Sequence, residues 1–319
     1  MDLMRAKVFH LITKLDLGGA QKVTLMTLER LPRDRYELGL VASPEGLLVE
    51  WANRIPGLKR VWISSIVRQV RPIQDALAFV RLWRLFRRER PEIVHTHTAK
   101  AGILGRWAAK LAGVPYIFHT SHGFGFNDFQ RPIERSLYIG LERLTAKITT
   151  KLFMVSYANA VTAEKIGMAR RGEWILSRDA IAVEEFMESK PRRQKLQEWG
   201  IPGDRIIVGM VACFKPQKSP EDFIEVAARV LKKTQRAHFV MAGDGDLRPS
   251  VEVVFDNTTS VKRSRCSDGN AKMKCPNSTA IWTSWFSHPC GKACPVCSPR
   301  PWHAGSLSWR RTWMERGRP

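Results

Sequence analysis

The segment from Val94 to Phe124 constrains the fold of this chain more than any other segment. An apolar run ending in polar residues leads into a predicted helix of small residues at 101–111, and a second such run follows. Strand, helix and strand at this spacing predict a βαβ unit, which implies a parallel sheet. Ligands of open α/β sheets bind outside the carboxyl ends of the strands. We therefore expect part of a ligand site at the polar residues that end these strands, which are His95, His97, Thr120 and His122.

Two glycines, Gly18 and Gly19, separate a predicted strand at 7–12 from a predicted helix at 20–31. Glycine allows backbone N–H groups to approach an anion closely at the N-terminus of a helix. The alternative is a tight turn that binds nothing, because the spacing is not that of the dinucleotide-binding glycine motif. From the glycines alone, both interpretations remain open.

A second βαβ unit is predicted further along the chain, with strands at 206–212 and 238–242 and a helix at 221–232. A polar helix predicted at 190–199 marks the boundary region. Two such modules in sequence predict an α/β protein with two Rossmann-like domains facing a cleft. We place these domains at 1–185 and 186–252.

The net charge of +22 indicates an anionic partner, such as a nucleotide, a nucleic acid or an anionic lipid. No apolar run reaches the length of a membrane span, and the N-terminal residues lack the pattern of a signal peptide. A cytoplasmic location is therefore expected.

The segment Asp75–Arg90 predicts an amphipathic helix with an arginine-rich face. Such a helix can lie on an anionic membrane surface, which would place the protein peripherally at the inner membrane face. The alternative is a surface helix whose basic face is solvated. The arginines are Arg81, Arg84, Arg87, Arg88 and Arg90.

Five segments resemble glycosyltransferase family 4, and they occur in the order and with the spacing expected of that family. They are LGGAQK at 17–22, HTHTAKAGILGRWAAKLAGVP at 95–115, HTSHGF at 119–124, VACFKPQKSPEDFIEVA at 211–227 and MAGDGDLR at 241–248. The resemblance covers residues 7 to about 252 and implies the two-domain GT-B fold. It also implies a retaining hexosyltransferase that takes a nucleotide sugar as donor and needs no metal or cofactor. The implied acceptors are saccharides and lipid-linked saccharides of cell-surface polysaccharide or glycolipid synthesis, and no nucleic acid is expected as a partner.

The resemblance implies phosphate-binding roles in both domains. Lys215 and Lys218 stand where the family places the cations that bind the donor diphosphate. Fixed cations can stabilise the charge of the leaving phosphates without a metal. Gly18 and Gly19 match the glycine loop that approaches the donor phosphate or the acceptor. The chain has Cys213 where the family often has an arginine, so one phosphate cation is missing or Lys215 replaces it.

The resemblance also implies a catalytic role for His122, which matches the histidine beside the donor sugar. Its hydrogen bonding would strengthen as the anomeric carbon gains positive charge. His97 is the further candidate for substrate binding. The alternative for both is a structural histidine at a strand end. The loop at 178–182 departs from the family's Asn-Gly-Ile-Asp pattern, which leaves its role undefined.

Residues 253–319 differ in character from the rest of the chain. They hold five of the six cysteines, and they lack the acidic pair that the family carries late in its second domain. The spacing of Cys290, Cys294 and Cys297 is compatible with an iron–sulfur or zinc site, which opens an alternative function. That alternative is a non-catalytic, basic module that binds membrane or nucleic acid and carries a metal-binding tail.

A shifted reading frame explains this tail better than a metal site does. Codons compatible with Thr283–Pro295 can be regrouped to read Leu-Leu-Val-Leu-Thr-Ser-Leu-Trp-Glu-Gly-Leu-Pro, which resembles the missing acidic motif. One lost base near residue 252 or 253 would suffice. On this hypothesis the second domain is incomplete, residues 253–319 are a disordered tail, and the chain is impaired as a transferase.

Overall fold

The computed structural model describes residues 5–126, 130–187, 203–258, 262–266 and 280–284. The chain divides into two compact units, 1–181 and 182–319. The boundary predicted from the sequence lies slightly later, between residues 185 and 186. The predicted helix at 190–199, the cysteine cluster at 290–297 and most of the predicted tail lie outside the described residues.

The first unit is built on a seven-stranded parallel sheet, which confirms the predicted α/β class. Its strands are β1 (Ala6–Leu11), β2 (Tyr36–Ala42), β3 (Lys59–Trp62), β4 (Ile93–His97), β5 (Tyr116–Ser121), β6 (Lys151–Met154) and β7 (Trp174–Leu176). The strand order is β3-β2-β1-β4-β5-β6-β7, so the direction in which strands are added reverses between β1 and β4. Such a reversal creates a crevice at the carboxyl ends of these two strands. Strand β7 was not predicted from the sequence.

Helices cover both faces of this sheet. They are α1 (Gly19–Arg30), α2 (Val49–Arg54), α3 (Pro72–Glu89), α4 (Ala99–Ala112), α5 (Pro132–Ala146) and α6 (Tyr157–Lys165). Successive residues of β1 contribute to two separate cores, because Phe9 packs with Phe86 of α3 whereas Val8 packs with Leu25 of α1. This alternation explains why the strands are apolar on both sides. No helix in the described part of the chain is both long and apolar enough to cross a bilayer.

The second unit contains the second predicted βαβ module. Its elements are α7 (Val183–Met187), β8 (Ile206–Val211), a 3₁₀ turn (Pro216–Lys218), α8 (Pro220–Leu231), β9 (Ala237–Ala242), α9 (Arg248–Asn257), β10 (Lys262–Cys266) and β11 (Ala280–Ser284). The parallel sheet has the order β10-β11-β9-β8. Helix α9 extends beyond residue 252 and buries Phe255 in the core. Strands β10 and β11 therefore give structure to two short segments of the stretch for which a disordered tail is predicted.

Helix α4 lies unusually close to the sheet because it carries glycine where it faces the strands. A Cβ atom at Gly105 would collide with the side chain of Leu11 on β1. A Cβ atom at Gly102 would lie 2.7 Å from Cε1 of His119 on β5. The small residues that predicted a helix in this segment are thus the residues that allow its close packing.

The close contact places Arg106 of α4 in the interior, where its side chain is fully buried. Its guanidinium donates to Oε2 of Glu142 on α5 at 2.8 Å, to the carbonyl of Gly102 at 2.9 Å and to Oγ1 of Thr149 at 3.1 Å. Burial lowers the pKa of Arg106, and the carboxylate of Glu142 opposes that shift. A buried charge must be paired, so this ion pair fixes α5 relative to α4.

Replacement of Glu142 by alanine is expected to lower the free energy of unfolding by about 3–5 kcal/mol, because it leaves the buried Arg106 guanidinium unpaired. Urea denaturation of the full chain, followed by circular dichroism, measures the change. The double variant R106M/E142L should lose less, since it removes both charges. The control is Glu50→Ala, which breaks an exposed pair with Arg54 and should cost about 1 kcal/mol or less. Equal losses of unfolding free energy for Glu142→Ala and Glu50→Ala would contradict this account.

Candidate active site

Histidines gather at the carboxyl ends of the central strands, as the sequence predicts. His95 and His97 lie on β4, and His122 follows β5 directly. The structure adds His10 of β1, which sequence reasoning missed because nothing distinguishes it within an apolar strand. The ring centroids of His95 and His97 are 4.5 Å apart, and those of His97 and His122 are 5.5 Å apart. This cluster lies where the strand order reverses.

His97 connects two other histidines through both of its ring nitrogens. Its Nε2 lies 3.0 Å from Nδ1 of His10, and its Nδ1 lies 3.2 Å from Nε2 of His122. His95 makes a separate contact, with Nε2 2.7 Å from Oγ1 of Thr120. His10, His97 and His122 thus form a continuous hydrogen-bonded line, which we call the histidine line.

The histidines of the cluster are uncharged at neutral pH because burial disfavours the imidazolium form. Burial lowers the pKa of His10 to about 4 and holds the pKa of His95 and His97 well below the usual value. Burial also lowers the pKa of His122, and the nearby carboxylate of Asp179 acts in the opposite direction. Each ring therefore carries one N–H donor and one nitrogen acceptor.

Asp179 ends the histidine line. Its Oδ1 lies 3.1 Å from Nδ1 of His122, and its side chain is 39% exposed. The ring nitrogen is not aligned for a regular hydrogen bond with the carboxylate, so the contact is mainly electrostatic. Asp179 belongs to the loop at 178–182 whose role was undefined in the sequence. The only available signal was that departure from the family pattern, which does not identify a partner.

Thr98, between β4 and α4, has a strained backbone with φ 64° and ψ 151°. This region of conformational space is normally occupied by glycine, and strain of this kind is often found at functional sites. Oγ1 of Thr98 lies 2.8 Å from Oγ1 of Thr13, which follows β1. The contact ties together the segments that leave β1 and β4, and no sequence pattern indicates it.

The two predicted glycines lie at the start of α1. Gly18 precedes the helix in an extended conformation, and no side chain caps the N-terminus. A Cβ atom at Gly18 would meet Oε1 of Gln21 at 2.5 Å, whereas one at Gly19 would meet nothing within 4 Å. The first turn of α1 thus presents uncapped N–H groups, as the predicted approach of an anion requires.

Lys215 and Lys218 belong to the second unit, on the connection between β8 and α8. Lys215 is half-buried and Lys218 is exposed. Neither lysine forms an ion pair with any residue that the structure describes, although the acidic residues Glu221 and Asp222 open the following helix. Both lysines are thus available to an anionic ligand.

The neighbouring loop explains the glycines of the MAGDGDLR segment. A Cβ atom at Gly243 would overlap the carbonyl oxygen of Ala212, so the two loops can approach only with glycine there. The backbone N–H of Phe214 donates to the carbonyl of Asp244 at 2.9 Å, which joins the loops after β8 and β9. The lysine-bearing connection is thus held against a second loop.

His10, His95 and His97 could place one ring nitrogen each within 4.8 Å of one another, which is a spacing suited to metal ligands. Neutral imidazole is the form that binds metals. However, His10 and His97 hydrogen-bond directly at 3.0 Å. An ion bound through these two nitrogens would have to replace that hydrogen bond.

Comparison with known proteins relates this architecture to glycosyltransferases. Residues 18–171 match the family described as glycosyl transferase 4-like domain. The chain is 28% identical over 262 residues to the UDP-Gal:alpha-D-GlcNAc-diphosphoundecaprenol alpha-1,3-galactosyltransferase of Escherichia coli, covering 81% of this chain and 67% of that protein. It is 24% identical to the alpha-monoglucosyldiacylglycerol synthase of Acholeplasma laidlawii, covering 66% of this chain and 54% of that protein. The chain thus spans between about half and two thirds of these relatives.

The crystal structure of the Anabaena protein Alr3699/HepE in complex with UDP and glucose has a similar fold. The TM-score is 0.63 at 13% identity, over 80% of this chain and 67% of that protein. The matched residues include Gly18, Gly19, His97 and His122. Residues 18–171 are therefore similar to the glycosyl transferase 4-like domain.

Proposed function

We propose that this chain transfers a sugar from a nucleotide sugar to a saccharide or lipid-linked saccharide acceptor, in the synthesis of cell-surface polysaccharide or glycolipid. The observation that carries the proposal is the line from His10 to His122 at the strand reversal of a family domain. The relatives support the substrate classes, since the Escherichia coli protein is named for UDP-Gal and a diphosphoundecaprenol acceptor. The Anabaena structure contains UDP and glucose.

The charges of two lysines in the second unit suit the departure of a nucleoside diphosphate. Lys215 and Lys218 would stabilise the negative charge that develops on the leaving phosphates, and no metal or cofactor is invoked. The uncapped first turn of α1, at Gly18 and Gly19, would bind a phosphate or orient the acceptor. His122 would contact the donor sugar as an uncharged imidazole, which avoids repulsion with positive charge at the anomeric carbon.

We further propose that α3 attaches the protein peripherally to the cytoplasmic face of the inner membrane. Ile73, Leu77 and Val80 follow one another on the surface of the helix and are 80%, 50% and 37% exposed. The arginines continue the exposed surface toward the C-terminal end of the helix. An apolar patch beside a basic patch is the combination that binds an anionic bilayer surface.

We also propose that residues from about 253 onward are translated out of frame. The support is the change in composition and the acidic motif recovered by regrouping codons.

Lys218→Ala is expected to weaken the binding of UDP about 10- to 100-fold, because a hydrogen bond to a charged group contributes about 1.5–3 kcal/mol. Isothermal titration calorimetry of the full chain with UDP measures the effect. Lys232→Ala is the matched control, since Lys232 is an exposed lysine that follows the same helix, α8. Equal affinities for the two variants would refute the role of Lys218.

The double variant R81Q/R84Q should bind vesicles that contain anionic lipid about 30-fold more weakly, since each arginine near such a surface contributes about 1 kcal/mol. Co-sedimentation with anionic and with neutral vesicles measures this binding. The control R30Q/K110Q removes the same charge from exposed positions on α1 and α4. Membrane binding that falls equally in both double variants would show a general charge effect and exclude a specific role for α3.

Sequencing the gene across the codons for residues 245–260 tests the proposed change of frame. The expected result is one additional base, followed by an open frame that encodes the Trp-Glu-Gly-Leu-Pro stretch. A gene sequence that agrees with the chain as given would disprove it.

A further inference from the structure

The loop after β7 contributes a charged residue to the histidine line that the family resemblance did not supply. Asp179 lies at ion-pair distance from His122, 3.1 Å, and makes no other ion pair with a residue that the structure describes. The loop departs from the family pattern at this position. The role of Asp179 therefore has to be inferred from its contacts in this chain.

A carboxylate determines which nitrogen of a neighbouring neutral imidazole carries the proton. An ionised carboxylate can only accept, whereas a neutral imidazole has one N–H donor and one lone-pair acceptor. If Nδ1 of His122 carried its lone pair, that lone pair would face the negative Oδ1 of Asp179 at 3.1 Å, which is repulsive. The favoured tautomer of His122 therefore has its proton on Nδ1.

The tautomer of His122 determines the tautomers of the other two rings in the histidine line. With the proton on Nδ1, Nε2 of His122 is an acceptor, so His97 must donate to it from its own Nδ1 over 3.2 Å. Nε2 of His97 is then an acceptor, and His10 must donate to it from Nδ1 over 3.0 Å. One carboxylate therefore determines the tautomers of three imidazoles.

We propose that Asp179 is a positioning residue of this site, which fixes His122, His97 and His10 together as Nδ1-protonated tautomers. The fixed tautomer would hold the ring of His122 in one orientation toward the sugar. Only this purpose rests on the proposed function. Asp179 acts through His122.

The hydrogen bonds of the histidine line also oppose the protonation of His122. An imidazolium at His122 would have a proton on Nε2, which would point at the Nδ1 proton of His97. His97 and then His10 would have to exchange tautomers, or the 3.2 Å hydrogen bond would break. The groups that face His122 are His95 and His97 of β4, His119 of β5 and Asp179, and Asp179 alone among them favours the charged ring.

The tautomers can be read directly by NMR spectroscopy of the full chain labelled with 15N-histidine, without substrate. His122→Gln and His97→Gln identify the two ring signals. We expect both rings to show the Nδ1-protonated form at pH 7. In Asp179→Ala both rings should become mixtures of tautomers, because the negative charge that ends the line is lost. Asp179→Asn removes the same charge while keeping the size of the side chain, so its rings should also become mixtures of tautomers.

The pKa of His122 provides a second measurement. The carboxylate raises this pKa against the effect of burial, so Asp179→Asn should lower it further. The control Asp34→Asn removes a charge from an exposed position far along the chain and should change neither the tautomer nor the pKa. A wild-type His122 protonated on Nε2, or Asp179→Ala rings that keep a single tautomer, would overturn the proposal. Because no sugar is present, the result stands whether or not the chain proves to be a transferase.

Discussion

The close contact between α4 and the sheet is the constraint on which the first unit depends. Gly102 and Gly105 remove the side chains that would separate the helix from β1 and β5. The helix then buries Arg106, and the buried guanidinium requires Glu142 of α5 as its partner. The same contact brings α4 against His119, which lies on the strand that leads to His122. The position of the candidate site is thus linked to the packing of one helix.

The reversal of strand order determines which strand ends meet at the candidate site. It leaves the ends of β1 and β4 side by side with their connections leading away in opposite directions. Thr13 and Thr98 join these ends, and the strained backbone of Thr98 is accommodated there. The parallel topology explains why a crevice lies at this place. The histidines that lie there determine its chemistry.

Much of the architecture follows from local patterns in the sequence. The apolar runs, the glycines and the small-residue helix predicted the parallel sheet, and most helices were placed within a few residues of their observed ends. Strand β7 was missed because Trp174–Leu176 is too short to show a periodic pattern. For the site, the sequence predicted the location of His97 and His122 because polar residues at strand ends are visible in the chain. The roles of these residues remain proposals.

The sequence by itself determined the class of the fold, the edge of the sheet that carries polar groups, and the resemblance to glycosyltransferase family 4. Only the tertiary structure decided which polar groups meet. His10 and His97 are 87 residues apart, and Asp179 approaches His122 from the loop after β7. Burial then favours the uncharged form of the imidazoles, and their partners determine which ring nitrogen carries the proton. These properties depend on contacts between distant segments, which periodicity and motif spacing do not encode.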